Sequence, residues 1–208
     1  MRLFLVRHGE SENNLNRSYT GQFDAELTDK GRAQAIAIRP LLDHIHFYEV
    51  YSSDLKRAFE TSQLALPNYT AKKTPLLREF NMGSFTNTPF EMTTPSNLGE
   101  DIYRQIKSSN YTHFGGEDVP MVVKRATEFL KQFETEEDKN IIAFAHGGFI
   151  MSAIYSIMGE QSTLPLRRPN CMIAVFEFLN GKWMLSSWVD PSIFVENFGT
   201  HNTDDKIL

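Results

Sequence analysis

Cysteine is the scarcest residue type in this sequence. Cys171 is the only cysteine among 208 residues, which excludes a disulfide framework within the chain and a metal site built from several thiolates. A single thiol fits a reducing compartment, so we expect a cytoplasmic protein.

The sequence also lacks a basic excess and long apolar runs. Lysine and arginine number 21 against 26 acidic residues, for a formal net charge of -5. Nucleic acid is therefore an unexpected partner, and any anion site must be built from local cations. The opening MRLFLV is too short for a signal-peptide core, and no later run is long enough to cross a bilayer. We expect neither export nor membrane anchoring.

What the chain does contain is an alternation of strand-like and helical patterns. Thr28 can cap a helix whose apolar face would be Ala33, Ile36, Ala37 and Leu41. Asn180-Gly181 predicts a two-residue hairpin turn. Strands are predicted at 3–6, 49–52, 140–145 and on both sides of that turn, and helices at 27–42, 55–66, 118–133 and 147–158. This order predicts an α/β three-layer sandwich, a mostly parallel central sheet with an antiparallel edge and helices on both faces.

One long segment does not follow the alternation. Residues 81–99 are rich in Gly, Pro, Asn and Thr and predict no packed element. We therefore expect a single domain over 1–208 with a lid or substrate-pocket excursion at about 81–115.

Titratable residues follow several predicted strands. His8 follows the first strand, Arg57 lies just after the second, Glu79 follows a Leu-Leu run taken as a strand, and His146 follows NIIAFA. Ligands of such sheets bind beyond the carboxyl ends of the strands. Together with Arg7, these residues supply two imidazoles, two guanidinium groups and one carboxyl group. This set suits phosphoryl transfer through a histidine nucleophile, and such chemistry needs no metal.

Six segments in chain order resemble the histidine phosphatase superfamily, in its phosphoglycerate-mutase-like branch. They are LVRHGESENN, TGQFDAELTDKGRAQA, YSSDLKRAFET, LLREFNMGSF, HFGGED and FAHGGF, and they span residues 1 to about 158. The resemblance implies that His8 is the phosphorylated nucleophile and that Glu79 donates a proton to the leaving group. It implies that Arg7, Arg57 and His146 bind the transferring phosphoryl group.

The resemblance also implies weaker assignments. Asn14 matches a phosphate-contacting asparagine, Gly21 and Gln22 match a loop that closes on the phosphate, and Gly147 can offer a backbone amide to an anion. Glu117 matches a substrate-side position, but an acid in the first turn of a helix explains it equally well.

Two neighbours of the nucleophile have their own interpretations. For Gly9 we expect that a side chain would crowd the phosphate. Glu10 is either a partner that orients the loop or a surface residue, and both interpretations stay open.

Departures from the family pattern favour a phosphomonoester hydrolase acting on a small phosphorylated metabolite. No arginine or lysine occurs between Glu79 and Arg104, where mutases of the family carry a basic insertion. The alternatives are a cofactor-dependent phosphoglycerate mutase and a catalytically silent phosphate-binding module. A metalloenzyme using His8, His44, His46 and His146 lacks acidic ligands. We expect no metal and no cofactor.

Overall fold

The protein is built around one mixed sheet. The structure is a computed structural model that describes residues 1–135, 137–159, 166–195 and 198. In these residues the sheet has six strands in the order β3-β2-β4-β1-β5-β6. They are β1 (Arg2–Arg7), β2 (Glu49–Ser53), β3 (Lys72–Thr74), β4 (Asn140–Ala145), β5 (Ile173–Leu179) and β6 (Lys182–Val189). Because β1 to β4 run parallel and β5 and β6 add an antiparallel edge, the predicted sheet is confirmed.

Helices cover both faces of this sheet. They are α1 (Glu12–Leu15), α2 (Asp29–Ala37), α3 (Arg39–Leu42), α4 (Lys56–Ala65), α5 (Pro95–Leu98), α6 (Glu100–Lys107), α7 (Val119–Lys131) and α8 (Gly147–Met158). Helices α2 and α4 pack together on one face, and α7 and α8 pack together on the other. The three-layer sandwich is therefore confirmed.

The central strands explain why two helical layers form. In β1, Leu3 and Leu5 pack toward α7 and α8, whereas Phe4 and Val6 pack toward α2 and α3. Each such side chain stabilises the fold by about 1.5–3 kcal/mol when fully buried. A strand that is apolar on both faces needs a helix on each side.

The antiparallel edge is a hairpin whose turn was predicted. Asn180 and Gly181 connect β5 to β6 with φ angles of 53° and 73°. Both residues therefore occupy the left-handed region that a two-residue hairpin turn requires.

The predicted apolar face of the helix at 27–42 is wrong for two of its four residues. Ala37 and Leu41 pack against the core, but Ala33 and Ile36 are exposed, and α2 buries Gly31, Gln34 and Ala35 instead. Gln34 Oε1 accepts a hydrogen bond from the Glu10 backbone N–H at 2.9 Å. The rotation of α2 is therefore set by the polar loop after β1 together with the burial of Ala35.

The segment from 81 to 115 is more ordered than its composition predicts. It contains α5, α6 and 3₁₀ turns at Gly83–Phe85, Phe90–Met92 and Thr112–Phe114. Met82, Phe85, Ile106 and Tyr111 bury their side chains in the core beneath α7 and α8. The prediction that residues 81–99 contain no packed element is therefore wrong, because Phe85 of the first turn lies in the core. The tail HNTDDKIL lies outside the described residues. Among the described residues, no helix has the length and apolarity to span a bilayer.

Candidate active site

Two histidines meet at the carboxyl ends of β1 and β4. The His8 backbone N–H donates to the Ala145 carbonyl at 3.1 Å, which extends the pairing of the two strands by one residue. His146 follows directly as the N-cap of α8. The ring centroids of His8 and His146 lie 5.1 Å apart. The sheet register alone therefore brings the two imidazoles together.

The tautomer of His8 follows from one contact. Its Nδ1 lies 2.7 Å from the Gly9 carbonyl oxygen. Because a carbonyl can only accept, Nδ1 carries the hydrogen and Nε2 keeps its lone pair. Arg57 Nε donates toward that Nε2 at 3.3 Å. His8 thus presents an unprotonated Nε2 beside the Arg57 guanidinium, the form of the ring that a nucleophile requires.

The charge state of His8 suits the same role. Burial lowers its pKa well below the ordinary histidine value, the nearby Arg57 and Arg7 charges lower it further, and the Gly9 contact opposes them weakly. The imidazole is therefore neutral at neutral pH, and only the neutral ring can attack phosphorus.

Arg57 is held rigidly although it is a cation with 1% exposure. Two guanidinium nitrogens donate to the carbonyls of Phe23 and Gly21 at 2.7 and 2.8 Å. Burial is the main cause that lowers the pKa of Arg57, to about 10, so the group stays charged at neutral pH. The loop around Gly21 therefore fixes the cation beside His8.

His146 has one committed and one uncommitted nitrogen. Its Nε2 lies 2.9 Å from Ser53 Oγ, the last side chain of β2. Its buried Nδ1 has no hydrogen-bond partner among the described residues. Burial, followed by the Arg57 charge, lowers the pKa of His146 well below the usual value. A neutral His146 thus has one ring nitrogen that makes no hydrogen bond with a described residue.

Glu79 lies on the other side of the first turn of α8. Its Oε2 accepts from the Gly148 backbone N–H at 3.1 Å, and its Oε1 accepts from Phe80 N–H at 3.0 Å. A β-carbon at Gly148 would lie 2.2 Å from Glu79 Oε1, so only glycine allows this approach. The Leu-Leu run before Glu79 forms a 3₁₀ turn, Pro75–Leu77, so the predicted strand there is wrong.

The weaker candidates surround these groups in different ways. Gln22 Nε2 donates to the Glu79 carbonyl at 3.0 Å, and the Gly21 carbonyl supports Arg57. Asn14 Oδ1 accepts from the backbone and hydroxyl of Ser11, which closes the first turn of α1. Gly147 begins α8 beside Arg7, whose Nε would lie 3.5 Å from a β-carbon placed on the glycine.

Glu117 is occupied by an ion pair rather than directed at the histidines. Its two carboxylate oxygens accept from Nε and a terminal nitrogen of Arg125 at 2.9 and 3.0 Å. Arg125 also donates to the backbone carbonyls of Leu76, Arg78 and Glu79. Glu117 therefore stabilises the loop that carries Glu79.

Gly9 and Glu10 both have structural roles in the loop after β1. A β-carbon at Gly9 would lie 2.4 Å from the Gly31 carbonyl oxygen, so the glycine is required by the close approach of α2. Glu10 is buried and accepts from Thr28 Oγ1 and Lys30 Nζ, both at 2.9 Å. The surface interpretation of Glu10 is wrong, and the loop-orienting interpretation is confirmed.

The four histidines of the metalloenzyme alternative are not brought together. His44 and His46 are exposed at the amino end of β2, whereas His8 and His146 lie at the carboxyl edge. Among the described residues there is no group of three or more His, Cys, Asp or Glu side chains arranged to hold a metal.

Several residues near the site were not singled out as site residues from the sequence. Ser53 is bonded to His146, Gly148 to Glu79, and Asn170 Nδ2 donates to the His8 carbonyl at 3.1 Å. Arg168 lies beside Gly147. Asn170 and Arg168 precede an antiparallel strand, whose amino end lies at the same edge as the carboxyl ends of the parallel strands. The predicted hairpin was the signal that could have found them.

Comparison with known proteins agrees with this geometry. The family model described as histidine phosphatase superfamily (branch 1) matches residues 3–191. The phosphoglycerate mutase-like protein 4 of Arabidopsis thaliana is 31% identical over 200 residues, covering 91% of this chain and 85% of the relative.

Solved structures show the same fold. A phosphoserine phosphatase variant from Entamoeba histolytica, in complex with phosphoserine, is 25% identical with a TM-score of 0.80, covering 92% of this chain and 98% of the other. A mycobacterial glucosyl-3-phosphoglycerate phosphatase is 23% identical with a TM-score of 0.79, covering 90% and 98%.

Proposed function

The chain belongs to the histidine phosphatase superfamily (branch 1), and on that premise we propose that it is a metal-independent phosphomonoester hydrolase that works through a phosphohistidine on a small phosphorylated metabolite. The observation that carries the proposal is the fixed tautomer of His8. Its Nδ1–H is bound to the Gly9 carbonyl, and its Nε2 lone pair lies beside the buried Arg57.

The proposed first step is attack of His8 Nε2 on phosphorus. The bond from phosphorus to the ester oxygen breaks, and Glu79 delivers a proton to that oxygen. Arg7 and Arg57 balance the charge on the equatorial phosphoryl oxygens. His146 would donate from Nδ1, since its Nε2 is engaged by Ser53.

The proposed second step is attack of water on the phosphohistidine. Glu79 takes the proton of that water, the bond from phosphorus to Nε2 breaks, and inorganic phosphate leaves. We assign Asn14, Gly21, Gln22 and Gly147 to the lining around the phosphate. The segment 81–115 is proposed as the wall of the leaving-group pocket, and the scarcity of cysteine supports a cytoplasmic location.

A phosphoglycerate mutase is the second candidate, because the Arabidopsis relative is named phosphoglycerate mutase-like. A mutase must retain its intermediate for return transfer, which requires additional cations and exclusion of water. Residues 80–103 contain no arginine or lysine. Arg104, the next cation, lies on α6 within 3.7 to 3.9 Å of Glu100 and Asp101 carboxylate oxygens. These features favour release of phosphate over return transfer.

The test is a product analysis. Purified protein is incubated in chelator with 3-phosphoglycerate, with and without a bisphosphoglycerate primer, and with simple phosphomonoesters. We expect catalytic release of inorganic phosphate and little 2-phosphoglycerate. Primer-dependent interconversion faster than phosphate release would establish the mutase instead, and binding without turnover would establish a silent module.

A further inference from the structure

Arg168 lies in a segment that is held at the candidate site by hydrogen bonds on both sides of this residue. The Asn170 side chain and the Cys171 backbone N–H both donate to the His8 carbonyl, at 3.1 and 3.2 Å. On the other side, Trp188 Nε1 donates to the Arg167 carbonyl at 3.0 Å. The backbone on either side of Arg168 is therefore held at the site edge of the sheet.

The Arg168 side chain extends to the first turn of α8. A β-carbon at Gly147 would lie 3.5 Å from Arg7 Nε and 3.9 Å from Arg168 Cδ. The next residue, Gly148, gives its backbone N–H to Glu79. One helical turn thus has Arg7 and Arg168 near its first residue and the proposed acid near its second.

Arg168 also differs from the other partly buried arginines near Glu79. Arg78 forms an ion pair with Asp54, and Arg125 forms one with Glu117. The half-buried Arg168 makes no ion pair or side-chain hydrogen bond with another described residue. A partly desolvated cation that forms no ion pair is unfavourable until an anion balances it.

The charge of Arg168 acts on the leaving-group side. Burial raises the pKa of Tyr111, the charges of Tyr19 and Glu79 raise it further, and Arg168 opposes them. The charges that lower the pKa of His8 are instead those of Arg57 and Arg7. Arg168 and Glu79 therefore both act on Tyr111, while Arg57 and Arg7 act on the nucleophile.

We propose that Arg168 determines specificity by binding a carboxylate on the alcohol portion of the substrate. This proposal rests on the hydrolase function proposed above. A guanidinium fork matches a carboxylate in shape and balances its single charge. The preferred substrates are phosphomonoesters of hydroxy acids.

The test compares 3-phosphoglycerate with glycerol 3-phosphate, which has a hydroxymethyl group in place of the carboxylate. We expect the wild-type protein to prefer 3-phosphoglycerate. Arg168→Met should raise KM for 3-phosphoglycerate about tenfold more than KM for glycerol 3-phosphate. Arg168→Lys should recover part of the difference, because it restores the charge without the fork. Arg167→Met is the matched control and should leave the preference unchanged.

Binding separates this inference from the hydrolase proposal. Titration of both esters into His8→Ala protein, with and without Arg168→Met, measures the preference without turnover. A preference lost with Arg168 supports the inference even if the wild-type protein hydrolyses neither ester. Equal affinity for the two esters, or equal weakening of both by Arg168→Met, would overturn the inference even if hydrolysis is efficient.

Discussion

His8, Arg57 and His146 are almost completely buried at the ends of strands or in the first turn of the following helix, whereas Glu79 and Arg168 are half-buried on loops. On the buried side, each side chain is fixed by backbone carbonyls or by Ser53. On the other side, the lining comes from 3₁₀ turns and connections. Under the proposed function, this difference would assign transfer chemistry to residues held by the sheet and substrate selection to the loops.

The buried residues also have shifted pKa values. Burial is the leading cause that lowers the pKa values of His8, His146 and Arg57. The two histidines therefore become neutral while the arginine stays charged, which suits a nucleophile beside an anion-binding group.

The largest expected effect is that of Glu79, on the loop side. Glu79→Gln removes the proposed proton donor and should slow hydrolysis of alkyl phosphates by about 10²–10⁴-fold. A phosphate ester with a good leaving group, such as p-nitrophenyl phosphate, needs less protonation and should lose much less. Steady-state kcat/KM for both esters is the measurement, and the aryl ester is the internal control. Equal losses would assign Glu79 to binding or structure.

A smaller effect is expected from Ser53 on the buried side. Ser53 Oγ accepts from Leu55 N–H and lies 2.9 Å from His146 Nε2. We expect its hydroxyl to donate to Nε2, which would place the ring proton on Nδ1. Ser53→Ala should reduce kcat/KM about tenfold, equally for alkyl and aryl esters. Nitrogen chemical shifts of the His146 ring report the tautomer.

The control for that change is the neighbouring buried hydroxyl. Ser52 Oγ donates to the Ser53 carbonyl at 2.8 Å and makes no hydrogen bond to His146. Ser52→Ala should therefore leave the His146 tautomer unchanged. A tautomer shift of the same size in both variants would mean that Ser53 acts only through packing.

The last expected effect is on stability rather than on activity, and it is a pH dependence. Folding lowers the pKa values of His8 and His146, so below about pH 6.5 the unfolded chain binds protons that the folded protein does not. Stability is then fully present above the unfolded pKa and falls with decreasing pH toward the lower folded values. The maximum slope is about 1.4 kcal/mol per pH unit for each histidine.

Urea unfolding between pH 7.5 and 5 checks this expectation. The carboxyl groups whose pKa values are lowered, Glu26, Glu49 and Asp54, affect stability mainly below that window. A flat free energy of unfolding, together with histidine NMR signals that titrate near pH 6.5, would contradict the described burial.

The strand ends were the predictable part of the site. Apolar runs predicted β1 and β4, and the rule that ligands bind at carboxyl ends placed His8 and His146 at one edge. The hairpin followed from Asn180 and Gly181. These features depend on local sequence and on the general topology of parallel sheets.

The unpredicted features depend on contacts between distant segments. The buried face of α2 includes Gln34 and Gly31, which contact Glu10, and apolar periodicity does not encode these contacts. The position of Glu79 depends on Gln22 and Arg125, which bind its backbone carbonyl. Arg168 reaches the site because β5 runs antiparallel to β1.

The most direct test of the account is isolation of the phosphoenzyme. Protein is mixed rapidly with a ³²P-labelled phosphomonoester, quenched without acid and digested for mapping of the label. We expect a phosphoramidate on His8 that survives alkali and is lost in acid, with neither label nor turnover in His8→Ala protein. Label on a serine, or full activity of His8→Ala, would contradict it.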